Sequence, residues 1–175
     1  MTPTIRDARL EDVPGIVDVH IRTWQVAYLG QLPDELLAAQ EARRADRTEI
    51  WDRAIRNAAD DHRRILVAEE DGRVVGFASA GPARDEGEAI GEIYAIYLDP
   101  GSWGSGIGRE LLARSTEWLA GGGFDEAILW VLGSNARARR FYETAGWHTD
   151  GGAKMELMLG SPLEEVRYRR SLAAR

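Results

Sequence analysis

The stretch that most constrains this chain is "EIYAIYLDPGSWGSGIGRELL", Glu92 to Leu112. An apolar run leads into a loop with four glycines in eight residues, Gly101 to Gly108, and helical spacing resumes directly after it. The pattern is strand, glycine-rich turn, helix. With the next apolar run, "EAILWVL" (Glu126–Leu132), it makes a strand–helix–strand unit, which implies a right-handed parallel crossover. Turns of this kind often hold phosphate, because bare backbone N–H groups at a helix start can approach an anion closely.

The rest of the chain is read around that unit. "TIRDAR" (Thr4–Arg9) alternates as a first strand. Leu10 to Tyr28 is expected as a helix, with Val13, Ile16, Val17, His20, Trp24 and Tyr28 on one stripe. "LGQLP" breaks it. A second helical region follows in one or two pieces, with Ile50, Trp51, Ala54, Ile55 and Ala58 as its apolar face. The period then switches to two. "RILVAEE" (Arg64–Glu70), a turn at Asp71–Arg73 and "VVGFASA" (Val74–Ala80) predict a hairpin. A polar loop, Gly81–Ala89, precedes a longer strand, Ile90–Leu98. The central helix should run from Gly106 to Ala120 and stop at Gly121–Gly123. A strand at Glu126–Leu132, a short helix at Ser134–Gly146 and tail strands at Lys154–Leu159 and Glu165–Leu172 complete the order. No linker or repeat interrupts it, so residues 1–175 form a single α/β domain with a mixed sheet. A chain of this length buries about 70% of its unfolded surface, enough for a real core.

Composition removes several functions. No cysteine is present, which excludes disulfides, thiolate metal sites and a cysteine nucleophile. His20 and His148 have no partner at metal spacing, so no metal is expected. A net charge of -7 argues against nucleic acid and tolerates a cationic amine. No apolar run approaches the ~20 residues that span a bilayer. The N-terminus lacks an apolar signal core, so a cytoplasmic location without membrane partners is expected.

Three phosphate cradles compete for the glycine loop. A nucleotide P-loop needs Lys and Ser/Thr where Ile107 and Gly108 stand. A dinucleotide fingerprint started at Gly104 and Gly106 needs a third glycine where Arg109 stands. The third is the pyrophosphate loop of acetyl-CoA-dependent acyltransferases. "IYLDPGSWGSGIGRELL" resembles the central motif of the GNAT superfamily of N-acetyltransferases, with Gly106 and Gly108 on its two glycines. One position departs: Trp103 stands where the family usually has Arg or Gln. "LWVLGSNARARRFYETAGW" (Leu129–Trp147) is similar to the second coenzyme motif, through Asn135, Ala138, Phe141, Tyr142, Glu143, Gly146 and Trp147. "TWQVAYLGQLP" (Thr23–Pro33) resembles the first helix and loop of one subgroup, and "EVRYRRSL" its closing strand. Two motifs in the right order are more specific than either alone.

The resemblance implies a mostly antiparallel sheet of about seven strands with one splayed parallel pair, flanked by about four helices. It implies acetyl-CoA as acetyl donor and no metal. The pantetheine arm would pair with free backbone groups of Ile96 and Leu98, in the gap opposite Trp130. Pyrophosphate would meet the amides of Trp103, Gly104, Ser105, Gly106, Ile107, Gly108 and Arg109. The N–H of Ile96 or Tyr97 would polarise the thioester carbonyl. Glu92 is the expected general base and Tyr142 the expected general acid. Asn135 is expected to contact pantetheine or to cap its helix, with Ser134 competing for the cap. Trp24 and Tyr28 are read as core or as acceptor-site walls, and Tyr94 as a wall by its two-residue spacing from Glu92. The acceptor would be a primary amine, small or on a protein, attacking directly in a ternary complex. The tail strands could pair in a homodimer. The alternative, raised by Trp103, is a weakly catalytic acyl-CoA-binding sensor or interaction module.

Overall fold

The computed structural model describes residues 3–84, 90–158 and 161–173. Residues 85–89 of the expected polar loop, and Leu159 at the end of the first tail strand, lie outside them.

The N-terminal half builds three strands and three helices. Strand β1 is Thr4–Asp7, and a single 3-10 turn leads into α1, Val13–Ala27. Pro14 sits in its first turn, where a missing N–H costs nothing. The second helical region is two helices, α2 (Asp34–Ala42) and α3 (Arg44–Arg56), which break at Arg43. That makes five α-helices among the described residues, in keeping with the expected four or so. Strands β2 (Arg64–Glu70) and β3 (Arg73–Pro82) form the predicted hairpin. Asp71 and Gly72 have φ of 50° and 73°, the left-handed pair that a two-residue hairpin turn with native twist requires.

The C-terminal half holds β4 (Ile90–Leu98), α4 (Ile107–Gly121), β5 (Glu126–Leu132), α5 (Ala136–Thr144), β6 (His148–Met158) and β7 (Ser161–Ser171). The seven strands are ordered β1-β2-β3-β4-β5-β7-β6. Among the described residues only β4 and β5 run parallel. Strand β7 lies between β5 and β6, so it is not a free edge. Tyr168, on the second of the tail strands expected to be able to pair between copies, is fully buried against Leu129 and Tyr142. The exposed edge on that side is β6.

One face of the sheet packs on α1 and α3 through Ile16, Val17, Ile65, Val67 and Phe77. The other packs on α4 and α5 through Leu111, Leu112, Leu119, Leu129 and Tyr142. The feature that makes a site is in the middle. The β4–β5 ladder ends at Ile93 opposite Leu129. There the β3–β4 register shifts, with Ser79 opposite Ala95 and Ala80 opposite Ile93, so Tyr94 is the extra residue of a bulge. A bulge bends its strand and terminates pairing. Beyond Tyr94, β4 leaves β5, as the resemblance implied.

Candidate active site

The gap between β4 and β5 opens a cavity of about 520 Å³ that runs from the glycine loop, past both strands, to α1 and the β6–β7 hairpin. Asp99 N–H bonds back to Val75 C=O on β3. By strand alternation, the backbone groups of Ile96 and Leu98 therefore point the other way, into the gap. Ile96 keeps that orientation without a β5 partner. Leu98 differs from expectation. Its C=O already accepts from Thr23 Oγ1 (3.0 Å) and from Trp103 Nε1 (2.8 Å).

The glycine loop opens on the same cavity. Gly104 and Gly106 have φ of 80° and 91°, where a Cβ is strained, and nothing stands within 4 Å of where one would project. Gly106 is the N-cap of α4. The N–H groups of Ile107, Gly108 and Arg109 fall in the helix's first turn and have no intrahelical acceptor. Gly104, Ser105, Gly106, Gly108 and Arg109 line the cavity, whereas Ile107 is buried in the core below α4. The Trp103 amide is not presented as expected, because it donates to Pro100 C=O at 3.3 Å within the 3-10 turn. What Trp103 presents is its ring. Arg137 on α5 stacks on it with the guanidinium carbon 3.4 Å from the ring centre, and burial holds the Arg137 pKa below its ordinary value. Trp103 thus ties the loop to β4 and to α5.

The second motif forms the opposite wall. Asn135 caps α5, its Oδ1 accepting from Ala138 N–H at 3.0 Å, and it also faces the cavity. Ser134 does not take the cap. Tyr142 is buried at the cavity surface, and burial raises its pKa well above that of an ordinary phenol. Glu143 is turned away, accepting a hydrogen bond from Tyr168 Oη at 2.7 Å.

The far end carries the aromatic residues of α1. Trp24 Nε1 donates to Tyr97 Oη at 3.1 Å, and Tyr28 packs on Trp24. Trp24, Tyr28, Tyr94 and Tyr97 all reach the cavity wall. Trp24 and Tyr28 also belong to a core cluster with Leu32, Leu37 and Leu132, so they are both core and wall. Tyr94 is held between Arg63 and Arg84, whose guanidinium carbons are 4.6 and 5.0 Å from the ring centre. Its hydroxyl donates to Pro82 C=O.

Glu92 is not brought into this cavity. Its side chain is 1% exposed and its carboxylate accepts from the Arg84 N–H (3.0 Å), Nε (3.2 Å) and Nη2. These bonds commit the carboxylate to Arg84, and they fix Arg84 over Tyr94. Two acids do line the cavity: Glu156 on β6, which is exposed, and Glu165 on β7, which is half-buried. The half-buried one, Glu165, is the candidate base. Burial raises its pKa above the usual carboxylate range, against the opposing pull of Lys154, and the nearby charge of Glu156 adds to the rise. Sequence reasoning missed it, because its inward face depends on where β7 inserts. The one local signal was its two-residue spacing from Leu163, which shares that face.

His20 lies under this end, stacked on Tyr97 at 4.6 Å between ring centres. Arg47 Nη1, which can only donate, is 3.0 Å from His20 Nε2, so that nitrogen accepts and the ring is neutral. Burial first, then Arg47 and Arg43, push its pKa down to about 3. The unfolded chain takes a proton below about pH 6.5 that the folded chain refuses until about 3. Stability should fall as pH drops through that window. Urea unfolding from pH 7 to 4 should show a pH slope smaller by up to one proton in His20→Phe.

Among the described residues no group of three His, Cys, Asp or Glu side chains is placed to hold a metal, and no helix is long and apolar enough to cross a membrane.

The cavity and both motifs agree with the similarities to known proteins. Residues 21–147 match the model of the acetyltransferase (GNAT) family. The chain is 35% identical over 134 residues to the N-acetyltransferase YuaI of Bacillus subtilis, covering 75% of this chain and 73% of that protein. It is 33% identical over 120 residues to a mycothiol acetyltransferase of Amycolatopsis mediterranei, covering 66% of this chain and 37% of that protein. In fold it is similar to the PaiA N-acetyltransferase of Thermoplasma acidophilum, determined in complex with coenzyme A. That match has a TM-score of 0.75 at 21% identity and covers 98% and 99% of the two chains. YncA of Salmonella typhimurium, determined with acetyl-CoA, matches at a TM-score of 0.69 and 22% identity, covering 100% of this chain and 96% of that one. The split sheet, the glycine loop on α4 and the motif on α5 are thus the local signature of a relationship that spans most of the sequence: the chain belongs to the GNAT family of acetyltransferases.

Proposed function

We propose that this protein transfers acetyl from acetyl-CoA to a primary amine by direct attack in a ternary complex. The observation that carries the reading is the β4–β5 gap, which joins the amides of the glycine loop at one end to Glu165 and the aromatic wall at the other. The amides of Gly104, Gly106, Gly108 and Arg109, with the positive end of α4, suit a pyrophosphate. Backbone groups of Ile96 suit a pantetheine amide, which would complete the interrupted sheet. The Ile96 N–H, aimed into the gap, is the donor that would meet the thioester oxygen.

An alkylammonium with pKa near ~10.4 is neutral in about one part in a thousand or fewer at pH 7. Glu165 is assigned as the base that takes its proton, directly or through water. The freed nitrogen forms the C–N bond to the acetyl carbon as the C–S bond breaks, and it gives up its surplus proton to solvent water. Tyr142, kept protonated by burial, would return a proton to the sulfur. A thiolate is a fair leaving group on its own, so Tyr142→Phe should lower kcat by only roughly tenfold, below the ~10² to 10⁴ usual for acid–base catalysis, and leave the acetyl-CoA Kd unchanged. Single-turnover thiol release checks this, and wild-type turnover in that variant removes Tyr142 as the acid.

The absence of cysteine fits direct transfer rather than an acetyl-enzyme. The sensor reading rested on Trp103 lacking the usual Arg or Gln. The Trp103 indole supports the loop through Leu98 and Arg137 instead, which favours a working site. Thiol release from acetyl-CoA with a panel of primary amines tests the proposal. Tight acetyl-CoA binding with no release for any amine would favour the sensor.

A further inference from the structure

Lys154 is the single lysine in a chain with 21 arginines. It stands on β6 directly opposite Glu165 on β7. Its ammonium nitrogen is 3.7 Å from Glu165 Oε2 and 4.3 Å from the centre of the Trp130 ring. Glu165 and Trp130 both belong to the cavity wall, on the side away from the glycine loop. Trp130 is the first residue of β5 past the end of its ladder with β4, so its ring flanks the gap. A carboxylate beside an aromatic face is a setting that holds an ammonium ion. Here it is seen holding one, and the ion is the chain's own.

Glu156 extends the same wall. It is two residues along β6 from Lys154 and a diagonal neighbour of Glu165 across the β6–β7 pair. The Lys154 pair is partly exposed, at 29% and 27%, and 3.7 Å is too long for a tight charged hydrogen bond. Such a pair is cheap to open.

We propose that Glu165 and Trp130 form a docking subsite for the reacting ammonium group of the acceptor, occupied at rest by Lys154, which the acceptor displaces, and that Glu156 beside it meets only a second cation. The inference rests on the acetyl-transfer reading and narrows its substrate class. The reacting amine takes the place of the Lys154 ammonium beside Glu165. The acceptor then has the shape of a lysine side chain, an unbranched methylene chain ending in a primary amine. A second cation on the same molecule faces Glu156.

Steady-state thiol release with n-butylamine, 1,4-diaminobutane and aniline tests this in the wild type, Lys154→Met, Lys154→Ala and Glu156→Gln. Lys154→Met keeps most of the stem and removes the charge, so it carries the test if the alanine variant folds poorly. Both Lys154 variants should lower the KM for the two alkylamines about fivefold, with kcat within twofold of wild type. Glu156→Gln should raise the KM for 1,4-diaminobutane about threefold and leave that for n-butylamine unchanged. An alkylamine KM that is unchanged or higher in both Lys154 variants overturns the subsite, as does a preference for aniline. Wild-type turnover in those cases leaves acetyl transfer standing. No thiol release with any amine by any variant, while acetyl-CoA still binds, removes the acetyl-transfer reading and the subsite together.

Discussion

Glu165→Gln is expected to lower kcat/KM for the amine by about 10² to 10⁴ and to erase the acid limb of the pH profile. The sign follows from the site. A general base works ionised, so activity rises as pH climbs through its pKa. Burial lifts the Glu165 pKa above the ordinary carboxylate range, so the limb should lie above the ~4.3 of a free glutamate. Glutamine keeps the shape and cannot take the proton. Glu92→Gln supplies the contrast. Its carboxylate is the partner of three Arg84 N–H groups and lies outside the cavity. Losing that charge should lower the melting temperature, because the Arg84 donors and a buried side chain lose their match. The shape of the pH–rate profile should stay that of the wild type. If Glu92→Gln flattens the profile and Glu165→Gln does not, the two assignments are reversed.

The second large effect is expected at the glycine loop. Gly108→Val should raise the Kd for acetyl-CoA about a hundredfold, roughly the 2.7 kcal/mol lost when a group that must approach closely is held off. Gly108 is in the first turn of α4 with an ordinary helical backbone, and a Cβ there would meet Phe141 only at 3.7 Å. Valine is no worse a helix former than glycine, so the melting temperature should move little. Its methyl groups would stand in the cavity where the amides of Gly106 and Arg109 are to receive phosphate. Calorimetric titration with acetyl-CoA, beside thermal melting of the same sample, separates lost binding from lost fold. Wild-type affinity in Gly108→Val would move the phosphate away from this loop.

The parts of this fold that were legible in the sequence are those written locally. The Asp71-Gly72 turn and the glycine stop after α4 each depend on a few adjacent residues, and each stands where the pattern put it; the cap on α5, open between Ser134 and Asn135 in the sequence, is Asn135. The glycine loop was legible because its left-handed backbone leaves few residue types that can form it. What was not legible depends on residues far apart in sequence. Glu165 faces the cavity because β7 inserts between β5 and β6, and no period along one strand encodes that insertion. Glu92 looked well placed along β4. Arg84, eight residues earlier in the loop after β3, decides that its carboxylate is already matched. Trp103 broke the family pattern by its side chain, and only the structure shows that side chain closing on Leu98 and Arg137. The break at Arg43 between α2 and α3 has no glycine or proline to announce it.

The central claim is that the splayed strands and the glycine loop together hold the acetyl donor. A crystal structure with coenzyme A tests it most directly. Pantetheine should lie between β4 and β5, bonded to the backbone of Ile96, with pyrophosphate on the amides of Gly104, Gly106, Gly108 and Arg109. The thiol should point toward Tyr142 and Glu165. Coenzyme A bound outside the gap, or a gap closed by renewed β4–β5 pairing beyond Ile93, would contradict it.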